Sequence, residues 1–531
     1  MMKQQILLLL LFINIFLSSF CHSKKKIEEP RIIKKPNVIF IVADDLGFSD
    51  VGFRNNNEIH TPNINEFAQQ GMVLENYYVQ DVCSPSRATF MTGRFPLHNT
   101  IVDWIPPKST YGLPLNETTM ADKFKSAGYI TRAVGKWHLG FYKWGFTPTF
   151  RGFDSFLGFY SGGEDYFTHE SSGGYDFRID GKTKCGEGCS ILNTMDQGNY
   201  STTVFSKEAV RVIEEHDTNH PLFLYLAYQG VHSPGQVPES YVKPYENTIS
   251  SPIRRTFAGM LSAVDEGIGN VTNALKQKNM YDNSLFIFTS DNGGPTTTSD
   301  GIGAINWPLR GGKHSIWEGG TRAISVISTS SNSNLLSPHV KGKEYHGLMH
   351  GVDWLPTLSD IAGYDLKNTL PLDGVSQWKA MNDVVNTIKG TVSSPRNTLV
   401  YGNATDYCPG EKHEVKLKCG FAIRYENFKL IKGYGGTPDS YCNKTTKTQL
   451  SCFPKVPEPE SCPNGFCLYD VINDPFELNE ISSQHGDIVD KMKLQLDNEL
   501  KNYHQYSLDE NCPKHKFKID KVVGKYWNPW C

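Results

Sequence analysis

The chain has 531 residues, 39% hydrophobic and 21% charged, a composition that specifies a folded globular protein with room for one large domain and a smaller one. Its formal charge is −3, so there is no overall basic excess of the kind that nucleic-acid binding calls for.

Lys3 precedes an apolar run over residues 6–17, and Cys21-His22-Ser23 offers small residues for cleavage. This predicts a secretory signal peptide over residues 1–23. The run is short for a membrane span, and no later stretch is long and apolar enough, so no stable membrane insertion is expected. After a basic lead, Asn37-Val-Ile-Phe-Ile-Val-Ala43 is an unbroken apolar run, the pattern of a strand buried on both faces in a parallel sheet. It stops at Asp44-Asp45. Two adjacent carboxylates at the carboxyl end of a buried strand are costly unless paired, and they favour a metal over a simple loop. Thr61 and Pro62 open a short helix that closes at Gly71.

Next comes Cys83-Ser-Pro85-Ser-Arg87, followed by Thr92-Gly93-Arg94. Pro85 suits the first turn of a helix, where Ser84 and Ser86 are expected to satisfy free N–H groups. A helix N-terminus with Arg87 nearby attracts an anion such as sulfate or phosphate. The plain structural alternative makes Cys83 half of a disulfide and Arg87 a surface charge.

A helix over 118–127 leads to a strand from Tyr129 to Val134, which runs into Lys136 and His138. In extended chain these two share a face. Residues 141–200 read as long structured loops, with aromatics between Phe141 and Phe167 available to stack on a sugar. A helix over 206–216 precedes the apolar strand 221–227, which leads to His232. The clearest helix spans 254–279, where Phe257, Leu261, Val264, Ile268, Val271 and Leu275 step by four and three. A third apolar strand, 284–288, ends at Asp291-Asn292. The stretch Asn306-Trp-Pro-Leu-Arg310, with Lys313 and Trp317-Glu318, is a loop, and Asp353 opens a helix that closes at Gly363.

Strand–helix alternation to about residue 390 predicts an α/β fold with a central, mostly parallel sheet between helices. Beyond it, short β segments and a helix over 488–502 predict a smaller antiparallel C-terminal domain. The expected boundaries are 36–395 and 396–531. Of twelve cysteines, setting aside Cys21 with the leader and Cys83 leaves ten, an even number concentrated beyond residue 408. Disulfides in an oxidising lumen account for them, Cys185–Cys189 most directly. Sequons at Asn116, Asn199, Asn270, Asn403 and Asn443 agree with that route.

In a doubly wound sheet the strand ends share one edge, so Asp44-Asp45, Lys136, His138, His232 and Asp291-Asn292 are expected to converge. This set, with Cys83-x-Pro85-x-Arg87 and the Lys313 loop, resembles the sulfatases of the alkaline-phosphatase-like superfamily, and among them the arylsulfatase B (N-acetylgalactosamine 4-sulfatase) type. One departure is His314, where the pattern has an aromatic.

The resemblance implies that Cys83 becomes formylglycine through a formylglycine-generating enzyme, and that the aldehyde hydrate attacks sulfur. It implies a cation held by Asp44, Asp45, Asp291, Asn292 and residue 83. Their oxygen donors suit Ca²⁺, with Mg²⁺ second. His232 and Lys313 would bind sulfate and protonate the leaving oxygen, Arg87 and Lys136 would stabilise charge, and His138 would take the proton that releases sulfate. The implied substrate is a sulfated carbohydrate or aryl sulfate, and the implied location lysosomal or extracellular. Two competing readings are a phosphonate or phosphodiester hydrolase on the same fold, and a catalytically silent extracellular binding protein. The intact Cys83, both histidines and both lysines speak against the second.

Overall fold

The computed structural model describes residues 35–296, 302–383, 394–402, 420–433, 435–436, 465–501, 503 and 506–531. The expected signal peptide and Cys408, Cys419, Cys442, Cys452 and Cys462 lie outside them.

Strand β1 (Asn37–Ala43) is buried along its whole length. Its side chains alternate between two cores, as successive residues of a strand must. Ile39, Ile41 and Ala43 enter one core with Phe67, Phe205, Phe257 and Leu261. Val38, Phe40 and Val42 enter the other with Phe90, Phe124 and Trp354. The first core is capped by helices α1 (Pro62–Gln70), α4 (Ser201–Glu214) and α5 (Pro252–Gln277). The second is capped by α2 (Cys83–Thr92), α3 (Met120–Ser126) and α6 (Trp354–Ala362).

The sheet has ten strands. Besides β1 they are β2 (Met72–Leu74), β3 (Ile130–Lys136), β4 (Ser155–Phe159), β5 (Arg178–Asp180), β6 (Ile191–Leu192), β7 (Leu222–Ala227), β8 (Ser284–Ser290), β9 (Ser325–Thr329) and β10 (Lys343–Tyr345). Their order is β10-β2-β9-β8-β1-β7-β3-β4-β5-β6. The central run β8-β1-β7-β3-β4 is parallel, with Val38 opposite both Phe223 and Leu285. The expected mostly parallel sheet between helices is therefore present. Strands β4, β5 and β6 fall in the stretch read from sequence as loops. They are short, and their burial alternates with turns too closely for a periodic signal.

A second, antiparallel sheet comprises β11 (Thr398–Tyr401), β12 (Phe421–Tyr425), β13 (Phe428–Lys432) and β14 (Phe466–Asp470). One face packs Val400, Ile423, Leu430 and Leu468 against Met492 and Leu496 of α7 (Gly486–Lys501). The other packs Leu399, Tyr401, Ala422 and Ile431 against Tyr78, Ile316 and Trp317. On that face Lys429 lies fully buried between Glu318 at 3.2 Å and Glu477 at 3.0 Å. Residues Lys518–Asp520 and Gly524–Tyr526 form an antiparallel pair outside this sheet, and the second of them pairs with Gly174–Tyr175. Among the described residues no helix is long and apolar enough to cross a membrane.

Cys185 and Cys189 form the expected local disulfide, and Cys467 is also bridged. Cys512 and Cys531 carry free thiols. The expectation that all ten cysteines are oxidised is corrected at these two.

Lys429→Met would leave two buried carboxylates facing each other without a cation. Chemical denaturation should show a loss of about 3–5 kcal/mol. A loss within about 0.5 kcal/mol, the range of an ordinary surface substitution, would show that the second sheet is not held this way.

Candidate active site

Because β8, β1, β7 and β3 are parallel neighbours, their carboxyl ends lie along one edge. Asp44-Asp45, His232, Lys136 and Asp291-Asn292 all emerge there. Backbone bonds tie two of these ends together: Asp44 N–H donates to Gly230 O at 3.1 Å, and Val231 N–H to Asp44 O at 2.8 Å. Asp45 and His138 adopt left-handed backbone, with φ of 64° and 59°. Such conformations cost free energy in residues other than glycine and cluster at functional sites.

Helix α2 brings Cys83 to the same edge. The expected capping by its serines is not what the structure shows, since Val82 precedes the helix with no side-chain cap. Ser84 Oγ instead donates to His138 O at 2.9 Å and accepts from Ile105 N–H at 3.2 Å. Ser86 Oγ bonds both the N–H and the carbonyl of Gln80. The two serines tie the helix start to neighbouring segments. Cys83 is buried and unbridged, with Sγ 3.4 Å from Asp44 Oδ1.

Three buried cations each meet a carboxylate. Lys136 Nζ lies 2.5 Å from Asp44 Oδ2, Lys313 Nζ 2.9 Å from Asp45 Oδ2, and an Arg87 terminal nitrogen 2.9 Å from Asp291 Oδ2. Arg87 Nε adds a second bond to Asp291 at 3.0 Å. Burial works to raise the Asp44 carboxyl, but Lys136, His232 and Arg87 outweigh it and hold the group below its usual range. Burial, with Asp44 beside it, pushes the Cys83 thiol well up. Burial and then Lys136 and Arg87 push His138 well down, while burial and Lys313 lower His232.

Both shifts favour the neutral imidazole, in which the partners fix which nitrogen is bare. His138 Nε2–H donates to Ile105 O at 3.2 Å, leaving Nδ1 a buried acceptor without a partner. His232 Nδ1–H donates to Ser233 O at 2.6 Å, and its Nε2 accepts from Lys313 Nζ at 3.1 Å.

One ligand atom from each of Asp44, Asp45, Cys83 and His232 falls within 4.8 Å of the others. Asn292 Nδ2 donates to Asp45 Oδ1 at 2.7 Å, while Asn292 Oδ1 is buried with no hydrogen-bond partner. An orphaned amide oxygen beside carboxylates is the donor set of a hard cation, so these residues fit Ca²⁺ or Mg²⁺. Asp291 Oδ1 accepts only a long bond from Asp45 N–H, at 3.3 Å, and so retains donor capacity.

Cys83, His138, His232 and Lys313 line one cavity of 630 Å³. All the sequence-predicted site residues thus converge on this edge. Residues that sequence reasoning missed also shape it. Ile105 presents its carbonyl to His138, and Gly162 and Gly163 lie so close that a Cβ at 162 would sit 2.6 Å from the His138 ring. The doubled glycine was visible in the sequence, but nothing there said what it approaches. The expected sugar-stacking aromatics between Phe141 and Phe167 are corrected. Phe141, Tyr142, Phe146, Phe153, Phe156, Phe159, Tyr160 and Tyr166 are buried packing residues, and none lines the cavity.

The parallel sheet with this polar edge defines an alkaline-phosphatase-like hydrolase. The chain belongs to the sulfatase family, whose model matches residues 36–364. It is similar to mouse arylsulfatase J, 35% identical over 518 residues that cover 93% of this chain and 80% of the relative. It is similar to human N-acetylgalactosamine-6-sulfatase, 30% identical over 354 residues, 64% of this chain and 65% of that one. Among solved structures it is similar to Ps i-CgsB in complex with k-i-k-neocarrahexaose, with a TM-score of 0.71, 29% identity, and coverage of 89% and 94% of the two chains.

Gly162→Ala should displace His138 while leaving the fold intact, because the clash is confined to one ring. Turnover of an aryl sulfate should fall about 100-fold, the cost of misplacing a reacting group by about 1 Å. Unchanged turnover would show that the His138 position does not matter to the reaction.

Proposed function

We propose that the protein hydrolyses the sulfate ester of a sugar, with N-acetylgalactosamine 4-sulfate at a chain end as the first candidate. The nucleophile is formylglycine made from Cys83 by a formylglycine-generating enzyme, and the metal is Ca²⁺, with Mg²⁺ second. The observation that carries this reading is an unbridged Cys83 at a helix N-terminus, sharing one buried edge with Asp44, Asp45, Asp291, Lys136, Lys313 and Arg87.

A bound cation would supply Lewis-acid polarisation at this edge, and the aldehyde would supply a hydrated carbonyl in place of a simple alcohol. Asp44, Asp45, Asp291 and the free Oδ1 of Asn292 would hold the cation. Lys136 and Arg87, paired with Asp44 and Asp291, face charge that builds on the sulfuryl group. Lys313 donates to His232 Nε2, so this pair can hold a proton at that nitrogen for the departing ester oxygen. His138 Nδ1 is the bare acceptor that can take a proton from the hydroxyl at residue 83.

A secretory route, ending in lysosome or extracellular space, is supported by the Cys185–Cys189 bond and by the exposure of Asn116, Asn199 and Asn270. The galactosamine preference is supported by a relative named for an N-acetylgalactosamine sulfate.

Values of kcat/KM should be compared for N-acetylgalactosamine 4-sulfate, its 6-sulfate, glucosamine N-sulfate and an aryl phosphodiester. The 4-sulfate should lead. A lead for the 6-sulfate would move the substrate claim, and a lead for the phosphodiester would overturn the sulfate-ester claim. Dialysis against a chelator should abolish turnover and added Ca²⁺ should restore it better than Mg²⁺. Full activity after metal removal, verified by elemental analysis, would exclude the cation.

A further inference from the structure

With no aromatic of residues 141–167 lining the cavity, its means of recognising the organic part of its substrate lies elsewhere. Of the nine tryptophans, Trp104 stands apart. It is 43% exposed, the others are buried or half-buried, and it lines the cavity that holds Cys83, His138 and Lys313. What sets it apart from the other exposed apolar side chains is its place in the lining of this cavity.

Its position is also fixed. The next residue, Ile105, gives its N–H to Ser84 Oγ at 3.2 Å and its carbonyl to His138 Nε2 at 3.2 Å. Trp104 N–H donates to Asp103 Oδ1 at 2.6 Å, and its carbonyl accepts from Tyr111 OH at 3.3 Å. Tyr111 is in turn stacked on Tyr506, with ring centroids 3.7 Å apart. The backbone that carries the indole is therefore anchored one residue from a segment bonded both to the residue beside Cys83 and to His138. An indole turns about only two side-chain bonds, so little conformational entropy is lost when a ring is laid on it. The cavity is also polarised. Lys313, paired with Asp45, is its buried cation, and of the carboxylates that line it Glu164 is buried, Asp165 half-buried and Glu170 exposed.

We infer that Trp104 is the platform on which the sugar bearing the scissile sulfate stacks, and that Glu170 disfavours a second anionic group, so that the site selects a monosulfated ring. The inference rests on the sugar-sulfate reading above. The scissile sulfate goes to the cations, the C–H face of the pyranose covers the indole, and a further sulfate would meet the Glu170 carboxylate.

The test uses the full-length, matured protein and its Trp104→Ala, Trp104→Phe and Glu170→Gln variants. Wild-type turnover of N-acetylgalactosamine 4-sulfate and 6-sulfate is measured first, and no turnover of either would sink the sugar reading itself. With turnover in hand, Trp104→Ala should lose roughly tenfold in kcat/KM on the better sugar, carried by KM. Trp104→Phe should recover most of that loss. Inhibition by inorganic sulfate, which has no ring to lay on the indole, should keep its Ki in both. Glu170→Gln should improve N-acetylgalactosamine 4,6-disulfate relative to the monosulfate by a few-fold. An unchanged KM in Trp104→Ala would overturn the platform. So would a fall in kcat with a weakened sulfate Ki in both tryptophan variants, because Trp104 would then be acting through Ile105 on His138. An unchanged disulfate ratio in Glu170→Gln would overturn the selection for a single sulfate.

Discussion

The contact between Lys136 and Asp44, 2.5 Å long with both side chains fully buried, is the constraint on which the rest of the site depends. Neither charge could stay at the end of a buried strand alone. Lys136 ends β3 and Asp44 follows β1, so the pair also spans the intervening strand β7 and fixes the height of three strand ends. Lys313 on Asp45 and Arg87 on Asp291 repeat the device from a loop and from a helix. Charge balance is thus satisfied by cations that also face an incoming anion. A site built this way is already organised around negative charge before any substrate arrives.

Parallel strand pairing supplies the geometry, and close backbone approaches set how far the loops can close. Gly293 follows the Asp291-Asn292 pair, and a Cβ there would lie 1.7 Å from Gly319 O. The Asp291-Asn292 turn therefore packs directly on the Trp317–Gly320 stretch. That stretch is held from its other side by Lys429 through Glu318, so the second sheet supports the loop that carries Lys313. The C-terminal sheet contributes to the site through this buried ion network.

Much of this was legible in the sequence because the chemistry sits on strongly patterned elements. The apolar runs 37–43, 221–227 and 284–288 ended close to their polar residues, and the period of 254–279 was unmistakable. The four segments of the second sheet were also legible, because Gly, Pro and Cys punctuate them. Other features left no local trace. Strands β5 and β6 are three and two residues long, too short for a periodic signal, and exist through pairing with each other and with β4. Ser84 and Ser86 looked like helix caps because their local pattern is that of caps, yet tertiary partners captured both hydroxyls. The aromatics after Phe141 looked like a binding surface because composition does not distinguish a ring that faces a cavity from one that fills a core. Trp104 carried no motif at all. Its meaning came from the bonds of Ile105 on either side of the reactive helix.

The central claim is that residue 83 acts as an aldehyde set within a buried, charge-balanced cation site. Mass spectrometry of the peptide spanning residue 83, from protein made through a secretory pathway and shown to turn over a sulfate ester, tests it most directly. The account predicts the mass of an aldehyde in place of the thiol, and loss of that signal together with activity when Cys83 is replaced by alanine. An unmodified thiol at residue 83 in fully active protein would contradict it.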